Sequence, residues 1–154
     1  MEKVIITVPS PDPAPQEREW LDLNKIARVE ITSEDPANPI DFALLPEMKA
    51  DWTAAQSGEQ TLQLRFHEPQ KLSHIRLVFH EKHQRRTQEF VLRWSGNGVD
   101  YYDIVRQQYN FNPPATETEE YDVNLGGVTV LQLRINPDIS DGAALATLAE
   151  LRLA

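Results

Sequence analysis

The sequence contains no cysteine, and this absence excludes disulfide bonds, thiol catalysis and cysteine-based zinc sites. It also has no apolar run approaching the length of about 18 residues that would predict a membrane-spanning helix. The stretch Met1–Pro9 is too short and too broken for a signal peptide. These absences favour a cytoplasmic protein with no membrane insertion, although a fragment of a larger secreted protein also fits them.

Basic residues are scarce. The chain has 15 Lys and Arg against 24 Asp and Glu, which gives a formal net charge of −9. A nucleic-acid-binding domain normally presents a basic face, whereas the one short basic stretch here is His80–Arg86. We therefore predict that the protein binds neither nucleic acid nor anionic lipid.

Helical periodicity is almost absent, and what replaces it is alternation of apolar and polar residues, the pattern of half-buried strands. The alternating stretches are Ala27–Thr32, Leu62–Phe66, His74–Phe79, Gln88–Ser95, Tyr101–Val105 and Val128–Ile135. The triplet Gly96–Asn97–Gly98 after the fourth stretch is typical of a tight hairpin turn with positive φ angles. The prediction is an all-β protein, an antiparallel β-sandwich of the jelly-roll type.

The length of 154 residues fits a single domain spanning residues 1–154. Residues 1–20 would supply an N-terminal strand at Val4–Val8 and a proline-rich lead-in at Ser10–Pro15. At the other end, Ala143–Leu148 has the propensity for a helical turn, while the alternation over Ala149–Leu153 fits a closing strand better.

Four segments occur in an order that resembles the discoidin family, also called the coagulation factor 5/8 type C family: Trp52–Ala54, Gln60–Phe66, Leu72–Phe79 and Phe90–Gly98. The resemblance covers residues 29–154 and implies the galactose-binding-domain-like jelly roll. It also implies a non-catalytic binding module that recognises glycans, lipid headgroups or proteins through loops at one end of the sandwich. In this sequence, those loops would be Ser33–Asp51, His80–Arg86 and Gln107–Glu120.

Sugar recognition usually combines an aromatic face with arginine, aspartate or asparagine groups for the hydroxyls. Trp94 and Tyr101 are predicted to lie in the core, and Trp52 also favours the core. The predicted ligand-binding residues are therefore Arg86, Arg106, Tyr109, Asn110 and Phe111. For Arg86, a surface ion pair with Glu81 or Glu89 is the alternative.

The resemblance also implies a structural calcium ion, for which Asp41 and Glu150 match the family's positions in order. Asp41 is followed by Phe42–Leu44 instead of the family's usual pattern, so a loop-capping Asp41 and a solvated or paired Glu150 remain the alternative. No other cofactor is predicted. His80 and His83 could contribute to a zinc site in principle, but hydrated loop histidines are the favoured interpretation of these two residues. His67 and His74 are predicted to face solvent.

Catalytic motifs are missing from the sequence. Asp100, Asp103, Asp138 and Asp141 occur in apparent turns, where acidic residues are common. The predicted function is thus a non-catalytic module that binds carbohydrate, and the alternative is a protein–protein scaffold module without a small ligand. Exposure of Tyr109 and Phe111 in a concave loop cluster would favour a sugar, and a flat apolar patch would favour a partner protein.

Overall fold

The computed structural model describes residues 1–4 and 18–154. Most of the predicted N-terminal strand and the whole proline-rich lead-in lie outside these residues. The described part contains two single-turn helices, α1 (Leu23–Ile26) and α2 (Asp41–Leu44), and eight strands. The strands are β1 (Ala27–Ile31), β2 (Trp52–Ser57), β3 (Gln60–Glu81), β4 (Arg86–Ser95), β5 (Tyr101–Phe111), β6 (Ala115–Asn136), β7 (Leu145–Leu148) and β8 (Glu150–Leu153).

The two longest strands, β3 and β6, pair antiparallel with each other along most of their 22 residues. The register shifts between Arg65 and His74, and β3 changes its second partner there. Its first part lies beside β1, and its last part lies beside β8. The sheet order is β1-β3-β6-β4-β5 with β8 on β3, while β2 and β7 form a separate pair. The predicted antiparallel all-β architecture is confirmed.

The core follows the alternation read from the sequence. Leu62 and Leu64 in the first part of β3, and Ile75, Leu77 and Phe79 in its last part, are buried. Phe79 contacts Phe90 of β4, with ring centroids 5.3 Å apart, so the two parts of the sandwich share one apolar interior. The polar residues between them point outward, and this outward face of β3 carries the site described below.

The turn between β4 and β5 holds its shape through Ser95 and Asn97. The Ser95 hydroxyl accepts hydrogen bonds from the backbone N–H groups of Asn97 and Gly98, at 3.2 and 2.8 Å. Of the triplet predicted to have positive φ, Gly98 alone does, with φ of 76°. The hairpin prediction is confirmed, and a single left-handed residue is enough to reverse the chain.

Three predictions about packing need revision. Residues 145–148 form strand β7 rather than a helical turn, while the closing strand at the end of the chain is confirmed as β8. Trp94 and Tyr101 are half-buried rather than buried. Trp94 packs on the exposed Tyr102, with ring centroids 5.5 Å apart, because it lies at the end of β4, next to the turn.

No helix in the described part of the chain is long and apolar enough to cross a membrane.

Candidate binding groove

A groove of about 920 Å³ lies on the outer face of β3, β6 and β8. Its floor consists of side chains that alternate with the core residues and therefore point away from the interior. The pairing of Val78 with both Thr118 and Glu150 brings the three strands into one surface. The floor residues are Arg76, Val78, His80, Thr116, Thr118 and Glu150.

Two loops form the walls of this groove. One wall is the segment Pro46–Asp51, which follows α2, and the other is the turn Glu81–His83 between β3 and β4. The groove thus joins residues from Ser33–Asp51, His80–Arg86 and Gln107–Glu120, the three segments that the family resemblance implied would hold the binding loops. The third segment contributes strand residues, Thr116 and Thr118, rather than a loop.

The lining of the groove is mainly polar. None of the described residues that line it is a phenylalanine, tyrosine or tryptophan. Pro46, Met48 and Val78 supply apolar surface, and hydroxyl groups come from Thr53, Thr116, Thr118 and Thr147. Such a surface suits a ligand rich in hydroxyl groups that is held by hydrogen bonds rather than by stacking on an aromatic ring.

Each acidic side chain in the groove already has a partner. Asp51 lies 3.2 Å from Nδ1 of His80, and Glu150 lies 3.8 Å from Nε of Arg76. Glu81 accepts hydrogen bonds from Nε of Arg86 at 2.6 Å and from the His83 backbone N–H at 3.0 Å. Burial opposes ionisation of Glu81, but these hydrogen bonds outweigh burial and lower its pKa.

Arg86 lies behind the groove instead of in it. It is buried, and its guanidinium donates to Glu81, to Gln88 Oε1 and to the Pro137 carbonyl oxygen, the last two at 2.9 Å. Its Cζ lies 4.4 Å from the ring centroid of Phe111. The alternative reading of Arg86 as an ion-pair partner of Glu81 thus describes its geometry, although the pair is buried. We assign Arg86 the role of positioning Glu81, a groove residue.

The aromatic pair Tyr109 and Phe111 does not form a stacking platform. Phe111 is buried, and Tyr109 is half-buried against it, with ring centroids 4.9 Å apart. Asn110 is exposed, and its side-chain oxygen accepts a hydrogen bond from the Thr87 hydroxyl at 2.8 Å. None of the three lines the groove. Tyr109, Asn110 and Phe111 belong to β5, which pairs with β4 at the edge of the sheet and is not one of the strands of the groove floor.

Arg106 lies at a separate place. Its Nη1 donates to Glu89 at 2.6 Å, and both residues line a small concavity of about 50 Å³ with Glu59, Val91, Arg134 and Asn136. The structure therefore divides the five predicted ligand-binding residues among the interior, the β5 surface and this second concavity, and it brings none of them into the groove.

The two predicted calcium ligands, Asp41 and Glu150, have different surroundings. Asp41 is exposed on α2, and Glu150 lies near Arg76. The backbone carbonyl oxygen of Ala43, in the same helix, accepts a hydrogen bond from Nη1 of Arg152 at 2.7 Å. No group of three or more acidic or histidine side chains in residues 1–4 and 18–154 is placed to hold a metal ion. Asp41 and Glu150 thus do not belong to a cluster of three or more such side chains in the described residues, and the buried Arg152 already binds a carbonyl oxygen beside Asp41.

The histidines differ from one another in their surroundings. His67 is exposed as predicted, but His74 is buried and lies between Asp122, 2.8 Å from Nδ1, and Glu120, 3.3 Å from Nε2. Trp20 covers it, with ring centroids 6.0 Å apart. His80 is in the groove with Asp51, and His83 is exposed at the groove wall.

The four aspartates assigned to turns do have local structural roles. Asp138 accepts hydrogen bonds from the backbone N–H and the hydroxyl of Ser140, and Asp141 accepts one from the Ala143 N–H. Asp100 accepts from the Asn97 side-chain amide, whereas Asp103 lies in β5 rather than in a turn and pairs with Arg93 at 2.8 Å. None of the four lines the groove.

No family model and no curated protein matches the chain, but many solved structures do. A family 32 carbohydrate-binding module of NanJ from Clostridium perfringens, in complex with galactose, superposes with a TM-score of 0.63 at 16% identity, covering 87% of this chain and 96% of the module. A pectin-binding module gives a TM-score of 0.61 at 18% identity, covering 84% and 90%. The chain has the galactose-binding-domain-like jelly-roll fold.

A third structure with this jelly-roll fold is the family 32 module of AlyQ in complex with 4,5-unsaturated mannuronic acid. Its TM-score is 0.57 at 14% identity, and the match covers 89% of this chain and 98% of that one. The modules are covered almost completely, so the fold prediction is confirmed over the whole sandwich. At these identities the comparison establishes the fold, and the function is argued from the groove.

Proposed function

We propose that this domain binds carbohydrate without catalysis and that the groove is its binding site. The observation that carries the proposal is the convergence of two loops and three strands on one concave, hydroxyl- and charge-lined surface in a jelly roll. Structures with the same fold are described as complexes with galactose and with a mannuronic acid derivative, which supports a saccharide ligand.

The state of the groove carboxylates supports the absence of catalysis. A glycosidase needs two carboxyl groups that face each other across the sugar, one of them able to give up a proton. Here Asp51, Glu81 and Glu150 each face a histidine or an arginine. The pKa of Glu81 is lowered, so this carboxyl is a poor proton donor near neutral pH.

A bulky substitution on the groove floor tests the site. Thr118 is exposed on β6, and Thr118→Trp would fill the space above Val78 while keeping a residue type that suits strands. In affinity electrophoresis, we expect the variant to lose the slowed migration that the wild type shows in gels containing a polysaccharide that it binds. Its melting temperature should be unchanged. The matched control is Gln108→Trp, at an exposed position of β5 away from the groove, which should bind normally.

Equal binding by the wild type and the Thr118→Trp variant would place the site elsewhere. If the wild type bound none of a broad panel of neutral and acidic polysaccharides, the proposal of a carbohydrate-binding domain would itself fail.

A further inference from the structure

We infer that the groove selects an acidic saccharide and that Lys49 and Lys82 contact the ligand's carboxylate groups. This inference rests on the proposed function, because it names the ligand class for the same groove.

The carboxylates that line the groove are paired within the protein. The lining contains three carboxylates, and each has a partner: Asp51 has His80, Glu150 has Arg76 and Glu81 has Arg86. Arg86 lies behind the lining, so the charge of Glu81 is neutralised from inside the protein. Arginines thus face two of the three carboxylates, Glu150 and Glu81, whereas the partner of Asp51 is a histidine.

Two lysines, Lys49 and Lys82, lie on the walls of the groove. Lys49 lies in the Pro46–Asp51 wall and Lys82 in the Glu81–His83 wall, and both side chains are exposed. Within the described residues, neither ammonium group has a carboxylate within 4.0 Å. Counted with Arg86 behind it, the groove lining carries four lysine and arginine side chains against three carboxylates, in a protein whose net charge is −9. Such a site attracts an anion by its local field, whatever the sign of the whole molecule.

The described lining of the groove offers hydroxyl groups and cations rather than aromatic rings. Neutral sugars are commonly held by stacking on an aromatic side chain, and the described lining has no phenylalanine, tyrosine or tryptophan. What it offers instead is a set of threonine hydroxyls on the floor between cations on the walls. Hydroxyl acceptors and donors flanked by ammonium groups match a uronic acid chain, which alternates ring hydroxyls with carboxylates.

The experiment uses one polymer in two forms, with its carboxyl groups either free and charged or methyl-esterified and neutral. Binding of the whole chain to polygalacturonate and to the same polymer after methyl esterification would be measured by isothermal titration calorimetry. We expect the acidic polymer to bind more tightly, and we expect its affinity to fall as salt is raised because exposed charges are screened. Each of Lys49→Ala and Lys82→Ala should weaken the acidic polymer's binding by about three- to tenfold, the range expected for losing the net contribution of one hydrogen bond at an exposed position.

Lys71→Ala is the matched control, since Lys71 is an exposed lysine of β3 that does not line the groove. It should leave binding unchanged, and melting temperatures should show that all variants are folded. Tighter or equal binding of the esterified polymer, with no effect of the lysine substitutions, would overturn this inference while keeping a neutral saccharide in the groove. Loss of affinity for both polymers in Thr118→Trp would locate either ligand in the groove.

Discussion

Glu117 is a carboxylic acid in the interior of the sandwich. It lies on β6 opposite Phe79 of β3, is 3% exposed, and has no hydrogen-bond partner for either side-chain oxygen in the described residues. Glu119 and Tyr121 follow it on the same face of the strand, and Gln107 of β5 bonds to both of them. Arg86 of β4 is the cation whose charge acts on Glu117.

These surroundings favour the neutral form of Glu117. Burial, and then the neighbouring Glu119 carboxyl, raise its pKa from 4.5 to about 8, while Arg86 acts in the opposite direction. Between these two pH values, the folded protein holds a proton that the unfolded chain releases. The contribution of Glu117 to stability is therefore complete below pH 4.5, and it is lost as pH rises toward about 8.

Glu117→Gln removes this titration and keeps the size of the side chain. We expect the variant and the wild type to have similar free energies of unfolding near pH 4.5, and we expect the variant to become progressively more stable than the wild type up to about pH 8. Urea unfolding at several pH values measures the difference. Glu68→Gln, at an exposed position, is the control and should show no such trend. A difference that is constant with pH would contradict the assignment.

Single residues also show what sequence periodicity can and cannot predict. Alternation placed His74 on the outer face of β3 and Trp94 on the inner face of β4, and both placements are correct. What alternation does not contain is the covering of each face. Trp20 and two carboxylates cover the outer face at His74, and the inner face at Trp94 runs out at the turn, beside an exposed tyrosine.

At the scale of elements, the α2 segment is tied to the last strand by a buried arginine. Arg152 of β8 is 5% exposed, and its Nη1 donates to the carbonyl oxygens of Ala43 at 2.7 Å and Leu151 at 2.9 Å. Its Nη2 reaches the Leu45 carbonyl oxygen at 3.5 Å. Carbonyl oxygens between a loop and the closing strand are ligands that a calcium ion would use, and here a guanidinium occupies them.

This arrangement predicts that Arg152 stabilises the segment and that calcium does not. Arg152→Met leaves buried carbonyl groups without donors and should lower the free energy of unfolding by about 1–3 kcal/mol. Adding calcium or a chelator should leave the wild-type melting temperature unchanged. Arg28→Met, at an exposed arginine of β1, is the control for loss of charge. A rise in the wild-type melting temperature with calcium would show that the folded protein binds the ion and would contradict this prediction.

The element that sequence reasoning missed is the first half of β6. Residues 115–120 are polar on both faces, because Glu117 and Glu119 point inward while Thr116 and Thr118 line the groove. No apolar alternation marks such a strand, so the prediction began at Val128. The strand that holds Thr116 and Thr118 was therefore not predicted, although both residues lie within Gln107–Glu120, one of the segments that the family resemblance had placed at the binding end.

At the scale of the whole molecule, β3 and β6 connect the layers of the sandwich. Each strand is 22 residues long, and together they pair with β1, β4 and β8. A strand that serves both layers cannot lose its order in one layer without disturbing the other. We therefore expect the described sandwich to unfold as one cooperative unit, with the groove present as long as the core is intact.

Phe79 is the residue that tests this coupling. Its side chain is fully buried and contacts Phe90, while the neighbouring His80 lines the groove. Phe79→Ala should cost about 3–5 kcal/mol of unfolding free energy, because a cavity replaces the ring. Heating monitored by tryptophan fluorescence and by far-ultraviolet circular dichroism should give coincident single transitions at a lower temperature. Val99→Ala, at a side chain that is 78% exposed, should change stability by no more than about 0.5 kcal/mol. Two separate transitions in either variant would mean that the layers unfold independently and that the groove floor can be lost while the rest of the core persists.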